Sequence, residues 1–258
     1  MKINVVYNKN IFGFKDVLSN VEELLIKNKV EFQSFDIDNL KMFGEISLVI
    51  GGDGTLLKAA RFYSEVNVPV LGINIGRLGF LSQAGSVREV VEAVINKKYF
   101  VEERLMLTAL EKLALNDFVI KGCDPSRTSK FYLQINGKDV CDYIADGLII
   151  STPTGSTAYG LSAGGPVLYP TTDVISIVPI CPHTLYARPI VVPTGEEITV
   201  RTGDKLLSVA IDGFDTTKCV EKILIKTAKN KALLAFLKEE QFYSVLRDKL
   251  HWGISETR

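Results

Sequence analysis

The stretch Leu48-Val-Ile-Gly51-Gly52-Asp53-Gly54-Thr55-Leu56-Leu57 limits the fold of this chain more than any other. Three aliphatic residues run into two glycines, an acid, a third glycine and a threonine. A helical pattern then follows through Arg61. Such a sequence predicts a buried strand that turns sharply and opens a helix. Glycine lets backbone N–H groups approach a ligand, because no Cβ intervenes. A helix N-terminus adds free N–H groups and positive dipole, a setting that suits phosphate. Asp53 sits inside this anion-friendly turn, where a carboxylate repels phosphate unless it accepts a proton or holds a metal. The plainer alternative is that Asp53 is a turn residue or a helix N-cap.

The flanking pattern extends the reading. Ile3–Tyr7, Val30–Phe35, Ser47–Ile50 and Val68–Ile73 read as strands. Phe14–Lys27 and Thr55–Tyr63 read as helices, and Ser86 with Glu89 forms a capping box for a helix to about residue 97. Strands alternating with helices predict a Rossmann-like parallel sheet over residues 1–98. Ligands of such sheets lie beyond the carboxyl ends of the strands, where Asp53 and the Asn74–Phe80 loop both fall.

From Phe100 the pattern changes to short strands. Asn136-Gly137 between two apolar runs marks a hairpin. Val174–Val178, Pro189–Val192, Glu197–Arg201, Leu206–Ile211 and Lys222–Lys226 read as further strands. Residues 99–237, including a strand at Leu233–Leu237, are therefore expected to form a β-sandwich-like domain. A terminal helix within 238–258 is expected to pack back on the first domain. The fold class is α/β plus all-β.

Composition narrows the partners. Lys+Arg and Asp+Glu are both 30, so nothing draws the chain generally to nucleic acid or an anionic membrane. No apolar run approaches the roughly eighteen residues of a span. Four scattered cysteines and two histidines make no metal-ligand pattern, so no metal site built from the chain alone is expected. Reduced cysteines and a cytoplasmic location are.

A second constellation runs from Asp146 to Pro166. A strand, Gly147–Ser151, leads into glycines and six hydroxyl residues between Ser151 and Ser162. Hydroxyls at this density can bond ribose and phosphate oxygens, and Tyr159 can stack on a base or a nicotinamide ring. A Ser/Thr/Gly-rich surface loop without a ligand is the competing reading.

Gly-Gly-Asp-Gly-Thr resembles the signature of a kinase superfamily that includes NAD kinases and the diacylglycerol and sphingosine kinases. The stretch Asp146-Gly-Leu-Ile-Ile-Ser-Thr-Pro-Thr-Gly-Ser-Thr-Ala-Tyr159 resembles the second signature of NAD kinases in particular. Asn74-Ile-Gly-Arg-Leu-Gly-Phe80 and Leu115-Asn116-Asp117 resemble further elements of that family, as does Pro182-His183-Thr184-Leu185. They occur in the family's order. The resemblance implies phosphoryl transfer from ATP, with Mg²⁺, to the 2′-hydroxyl of the adenosine ribose of NAD.

It makes Asp53 the general base, and Gly51, Gly52, Gly54 and Thr55 the phosphate cradle. Asn116 and Asp117 would hold the adenosine side of NAD. Asp146 and Thr157, Ala158, Tyr159, Gly160, Leu161 and Ser162 would make further dinucleotide contacts. Phe80, Asp212 and Phe214 would lie near the ligand, and Arg127 would reach a phosphate unless it is a solvated loop cation. Asp117 stands where Glu is commoner. Ile144 stands where many relatives carry a basic residue. A homo-oligomer, dimer or tetramer, is also implied. A lipid kinase sharing the first motif and a non-catalytic dinucleotide sensor are the competing functions.

Overall fold

The structure, a computed structural model, describes the chain except residues 76–78, 83–84, 125, 204–205, 240–241 and 251–258; of 217–219 it describes the backbone only. In order the elements are β1 (Lys2–Tyr7), α1 (Phe14–Lys27), β2 (Glu31–Asp36), β3 (Ile46–Ile50), α2 (Asp53–Ser64), β4 (Val70–Ile73), α3 (Val87–Ile95) and β5 (Phe100–Arg104). Then come β6 (Leu107–Ala109), β7 (Lys112–Ala114), β8 (Asp117–Gly122), β9 (Ser129–Ile135), β10 (Lys138–Ala145) and β11 (Gly147–Ser151). A 3₁₀ turn, Thr154–Thr157, precedes α4 (Tyr159–Ser162). The chain continues through β12 (Val174–Ile180), β13 (Ile190–Pro193), β14 (Ile198–Thr202), β15 (Leu207–Ile211), β16 (Asp215–Val220) and β17 (Lys222–Thr227). β18 (Ala232–Phe236) and α5 (Phe242–Leu250) close it. Two compact units result: Met1–Glu103 with Ala232–Arg258, and Arg104–Lys231.

The first unit is built on one sheet in the order β2-β1-β3-β4-β18-β5. β1 pairs parallel with β2 and β3, β3 with β4, and β4 with β18. Apolar periodicity dictates the layers. Val21 and Leu25 of α1 and Val90, Val91 and Val94 of α3 bury against Ile3, Val5, Leu48 and Ile50. α2 lies against the face that Gly72 of β4 presents: a Cβ on Gly72 would stand 2.1 Å from Leu56 Cδ1. Ser86 caps α3 with the expected box, its side chain accepting from Glu89 N while Glu89 accepts from Ser86 N. The strand order reverses between β1 and β3. That reversal is the topological switch point, where open α/β sheets bind their ligands.

β18 corrects the sequence reading. Expected in the β-rich domain, it joins the first unit's sheet, with Leu234 beside Val70. A short apolar run looks the same whether it fills a parallel sheet or a sandwich. The division falls accordingly at 103/104 and 231/232, not at 98/99 and 237/238. α5 belongs to the first unit and buries Val245 and Leu246.

The second unit holds two antiparallel sheets, β10-β9-β14-β17-β6-β7 and β13-β12-β11-β8-β15-β16. Alternate residues of both meet in one core, among them Phe131, Leu133, Val200 and Ile225 from the first, and Phe118, Ile150, Ile177 and Val209 from the second. This is a sandwich. At the hairpin between β9 and β10, Asn136 and Gly137 adopt φ 51° and 74°. Both are left-handed, as a type I′ turn requires. Val119, Ile149, Val178 and Ile180 point away from the main core and pack against Ala163, just past α4. β8, β11 and β12 are thus covered on both faces, which explains their near-continuous apolar runs.

Candidate functional site

The Gly-rich turn forms as its composition demands. Gly51 N–H bonds Ile73 O at 3.0 Å, carrying the β3–β4 ladder to its last residue. A Cβ on Gly51 would lie 2.6 Å from Thr55 Oγ1. Gly52 is the N-cap of α2 in extended conformation, and Thr55 N and Leu56 N both bond its carbonyl. Among the described residues, the N–H groups of Gly52, Asp53 and Gly54 have no partner. They are the donors that a helix start leaves free for an anion.

Asp53 is therefore not the N-cap; it is the first residue inside the helix. Its carboxylate turns to the loop after β4 and accepts from Phe80 N at 2.7 Å (Oδ2) and Leu81 N at 3.2 Å (Oδ1). The approach is possible only because residue 79 lacks a side chain: a Cβ on Gly79 would lie 1.7 Å from Asp53 Oδ1. The loop is fixed in turn by Gly79 N–H donating to the buried Ser82 Oγ at 3.0 Å. The resemblance of residues 74–80 thus acquires a physical meaning at Gly79-Phe80, which holds the carboxylate in place. Phe80 itself is half-buried. Gly76, Arg77 and Leu78 of that element lie outside the described residues.

In the second unit the Leu115-Asn116-Asp117 corner is organised by Asp212. Its carboxylate accepts three backbone N–H groups: Leu115 at 2.9 Å, Asn116 at 2.7 Å and Asp117 at 3.0 Å. Asp212 N–H returns a bond to Asp117 O at 3.0 Å. Asp212 and Gly213 form the turn between β15 and β16, at φ 50° and 72°. The Asp212 side chain, expected near the ligand, is 7% exposed and holds the backbone of the corner. Phe214, next in the chain, is exposed.

Asp117 is 4% exposed. Burial, and then the charge of Asp212, push its carboxyl up to about 7. The corner thus holds two acids of different character: one bonded to three N–H groups, the other buried with a raised affinity for a proton.

The hydroxyl run divides the same way. Ser151, Thr152, Thr154 and Ser156 are buried. Thr152 Oγ1 donates to Leu115 O at 2.5 Å and accepts from Gly155 N at 3.0 Å. Thr152 N–H bonds Asn116 O at 2.9 Å. Ser156 Oγ donates to Pro153 O at 2.7 Å and accepts from Leu168 N at 3.0 Å. A Cβ on Gly155 would lie 2.2 Å from Asn116 O. These groups seat the turn against the Asn116 corner, so four of the six hydroxyls that could bond ribose or phosphate are buried with partners inside the protein. Backbone polar groups inside a tight turn need partners, and the nearest hydroxyls supply them. Thr157 stays half-buried and bonds Thr154 O at 3.3 Å. Ala158 and Leu161 are half-buried, Gly160 is buried, and Tyr159 and Ser162 are exposed. Lys121 Nζ lies 5.8 Å from the centre of the Tyr159 ring.

Two further expected residues, Arg127 and Asp146, are exposed to solvent. Arg127 projects into solvent and pairs with Asp124 at 3.8 Å, the geometry of a solvated loop cation. Asp146 is exposed just before β11, its N–H on Ile180 O at 3.0 Å. Asn116 borders the other end of that strand, where Ser151 pairs with Asp117. Five residues of strand separate the two by roughly 16 Å. A residue that sequence reasoning missed is Asn8, at the carboxyl end of β1. Its Nδ2 donates to Thr55 Oγ1 at 3.3 Å. A lone Asn after a strand carries no signal of this until the sheet order is known.

The first unit's sheet carries a phosphate-type turn with a held carboxylate at its switch point, and the second unit's sandwich carries an amide–carboxyl corner; both are features expected of a nucleotide-binding phosphotransferase. Known proteins agree. Residues 16–99 match the ATP-NAD kinase N-terminal domain, and residues 115–235 the ATP-NAD kinase C-terminal domain. An NAD kinase of Clostridium tetani is 36% identical over 257 residues, 94% of this chain and 92% of the relative. One of Pseudomonas putida is 41% identical over 232 residues, 83% and 78%. The crystal structure of an NAD kinase from Archaeoglobus fulgidus in complex with ATP superposes with a TM-score of 0.81 at 28% identity, covering 97% of this chain and 99% of that one. Yeast NADH kinase complexed with NADH shares the fold, with a TM-score of 0.88 at 20% identity. The chain belongs to the NAD kinase family.

Proposed function

We propose that this chain phosphorylates the 2′-hydroxyl of the adenosine ribose of NAD with ATP, and that Asp53 is the general base. The observation that carries the reading is the Asp53 clamp. A carboxylate is held by two backbone N–H groups of the loop after β4, beside three free N–H groups at the head of α2. Phosphoryl transfer needs positioning and charge neutralisation more than covalent help. The free N–H groups suit phosphate oxygens, and the carboxylate suits a hydroxyl proton released late, as the new O–P bond forms. Loss of its hydrogen bonds is not required, because each carboxylate oxygen has a second lone pair.

On this reading Asn116 and Asp117 bind the adenosine side of NAD and the turn at Thr157–Ser162 contributes further contacts; Phe80 in the first unit and Phe214 in the second are each proposed as ligand contacts. Among the described residues no three His, Cys, Asp or Glu side chains come together as a metal cage. Mg²⁺ would arrive on the ATP phosphates, held mostly by phosphate and water, and would supply charge neutralisation there, leaving Asp53 free as the base.

The reading includes a homo-oligomer. Asp146 sits at the far end of β11 from Asn116, so a dinucleotide contact from Asp146 is best met by a second copy. Leu185 and Tyr186, 81% and 90% exposed, offer apolar surface for one. Cys123, Cys141 and Cys181 are free thiols, which fits a cytoplasmic location. Among the described residues no helix is long and apolar enough to cross a membrane.

NADP formation from NAD, ATP and Mg²⁺ by the purified chain tests the function. Diacylglycerol phosphorylated in place of NAD, or NAD bound without turnover, would contradict it. Light scattering tests assembly: a mass of two or four chains is expected, and a monomer at micromolar concentration would remove that part.

A further inference from the structure

Asn8 follows β1 at the switch point, and its carboxamide is fixed from two sides. Oδ1 accepts Asn10 N–H at 3.0 Å, which turns Nδ2 the other way, onto Thr55 Oγ1 at 3.3 Å. The bond joins the end of β1 to the first turn of α2, two segments adjacent only through the sheet order. Thr55 is 6% exposed. Gly51 crowds its hydroxyl from another side, at the position where a Cβ would lie 2.6 Å from Oγ1. An oxygen that accepts an amide N–H must aim its own proton elsewhere. Among the described residues nothing accepts that proton.

We infer that Asn8 is a positioning residue for the phosphoryl donor: it occupies a lone pair of Thr55 Oγ1 and so leaves the hydroxyl proton to bond a phosphate oxygen on the Gly51–Thr55 turn. This rests on the reading of that turn as a phosphate cradle. Thr55 transfers no proton; it donates a hydrogen bond. An aspartate at position 8 would reverse the arrangement. Its carboxylate accepts the Thr55 proton and places negative charge beside the phosphates.

The test uses the full chain, Asn8→Asp, Asn8→Ala, Thr55→Val and the Asn8→Ala/Thr55→Val double variant. ATP affinity is read by calorimetry, beside kcat and the KM of each substrate. Asn8→Asp is expected to weaken ATP about tenfold or more, and Asn8→Ala by about threefold to tenfold, in line with a hydrogen bond to a charged group. The KM for NAD stays within about twofold. The double variant binds ATP no more weakly than Thr55→Val alone, because Asn8 acts through that hydroxyl. Additive losses, equal loss for both substrates, or unchanged ATP affinity would overturn the inference. If Asn8→Asp fails to fold by circular dichroism, Asn8→Ala and the cycle decide. A parent that binds ATP but makes no NADP would contradict the kinase reading and leave this inference to be judged on binding. A parent that does not bind ATP would overturn it.

Discussion

Asp53 in the first unit and Asp212 in the second do similar work in opposite places. Each carboxylate gathers backbone N–H groups from a distant segment: two from residues 80–81, three from residues 115–117. Asp53 does so half-buried, beside N–H groups that have no partner, so it can also meet a ligand. Asp212 does so buried, holding the backbone of the corner. The difference shows that a motif's acid is not defined by its hydrogen bonds but by what is left free around it.

The largest effect expected of a single change to the framework is Gly79→Ala. The added carbon overlaps the Asp53 carboxylate and must displace it or the loop. A misplaced catalytic group costs about a hundredfold in turnover. Steady-state kinetics check this, with NAD affinity unchanged; an active Gly79→Ala enzyme would mean the clamp is dispensable. Asp212→Asn comes next. Asn tolerates the left-handed backbone at position 212, so the change isolates the lost charge and acceptor. Stability should fall by about 1–3 kcal/mol in denaturant titration. KM for NAD should rise, and kcat should change less.

Asp117 gives a smaller, pH-dependent effect. Its folded pKa of about 7 lies above the ordinary carboxylate value. Between these two values the folded protein holds a proton that the unfolded chain has released. The stability from this group is therefore complete at low pH and is lost as pH rises to about 7, by at most about 1.4 kcal/mol per pH unit. Asp117→Asn cannot ionise, so it should flatten that slope and melt higher than the parent at pH 8. A parallel pH profile in both proteins would place the charge elsewhere. Arg127→Ala should be the smallest, within about twofold in every kinetic constant and about 0.5 kcal/mol in stability, as for an exposed loop cation.

Local features were legible in the sequence. The bounds of α1, the capping box at Ser86 and the hairpin at Asn136-Gly137 depend on neighbours within a few residues, and they stand where the pattern put them. So does the Gly-rich turn, where a Cβ on Gly51 would crowd Thr55. Long-range facts were not. Nothing in Ala232–Phe236 distinguishes the last strand of the first sheet from another strand of the sandwich. Ser151, Thr152, Thr154 and Ser156 read as ligand groups because hydroxyls that satisfy a turn and hydroxyls that bind ribose have the same composition. Asp146 lies close to Ser151 in sequence, yet a strand holds them at opposite ends. Asn8 gained meaning only when β1 was seen beside β3.

The measurement that bears most directly on the central claim is NADP formation by the parent and Asp53→Asn, with NAD affinity read on both. The account predicts NADP from the parent, a loss of about a hundredfold to ten-thousandfold in the variant, and equal NAD binding. An Asp53→Asn enzyme as active as the parent would contradict it.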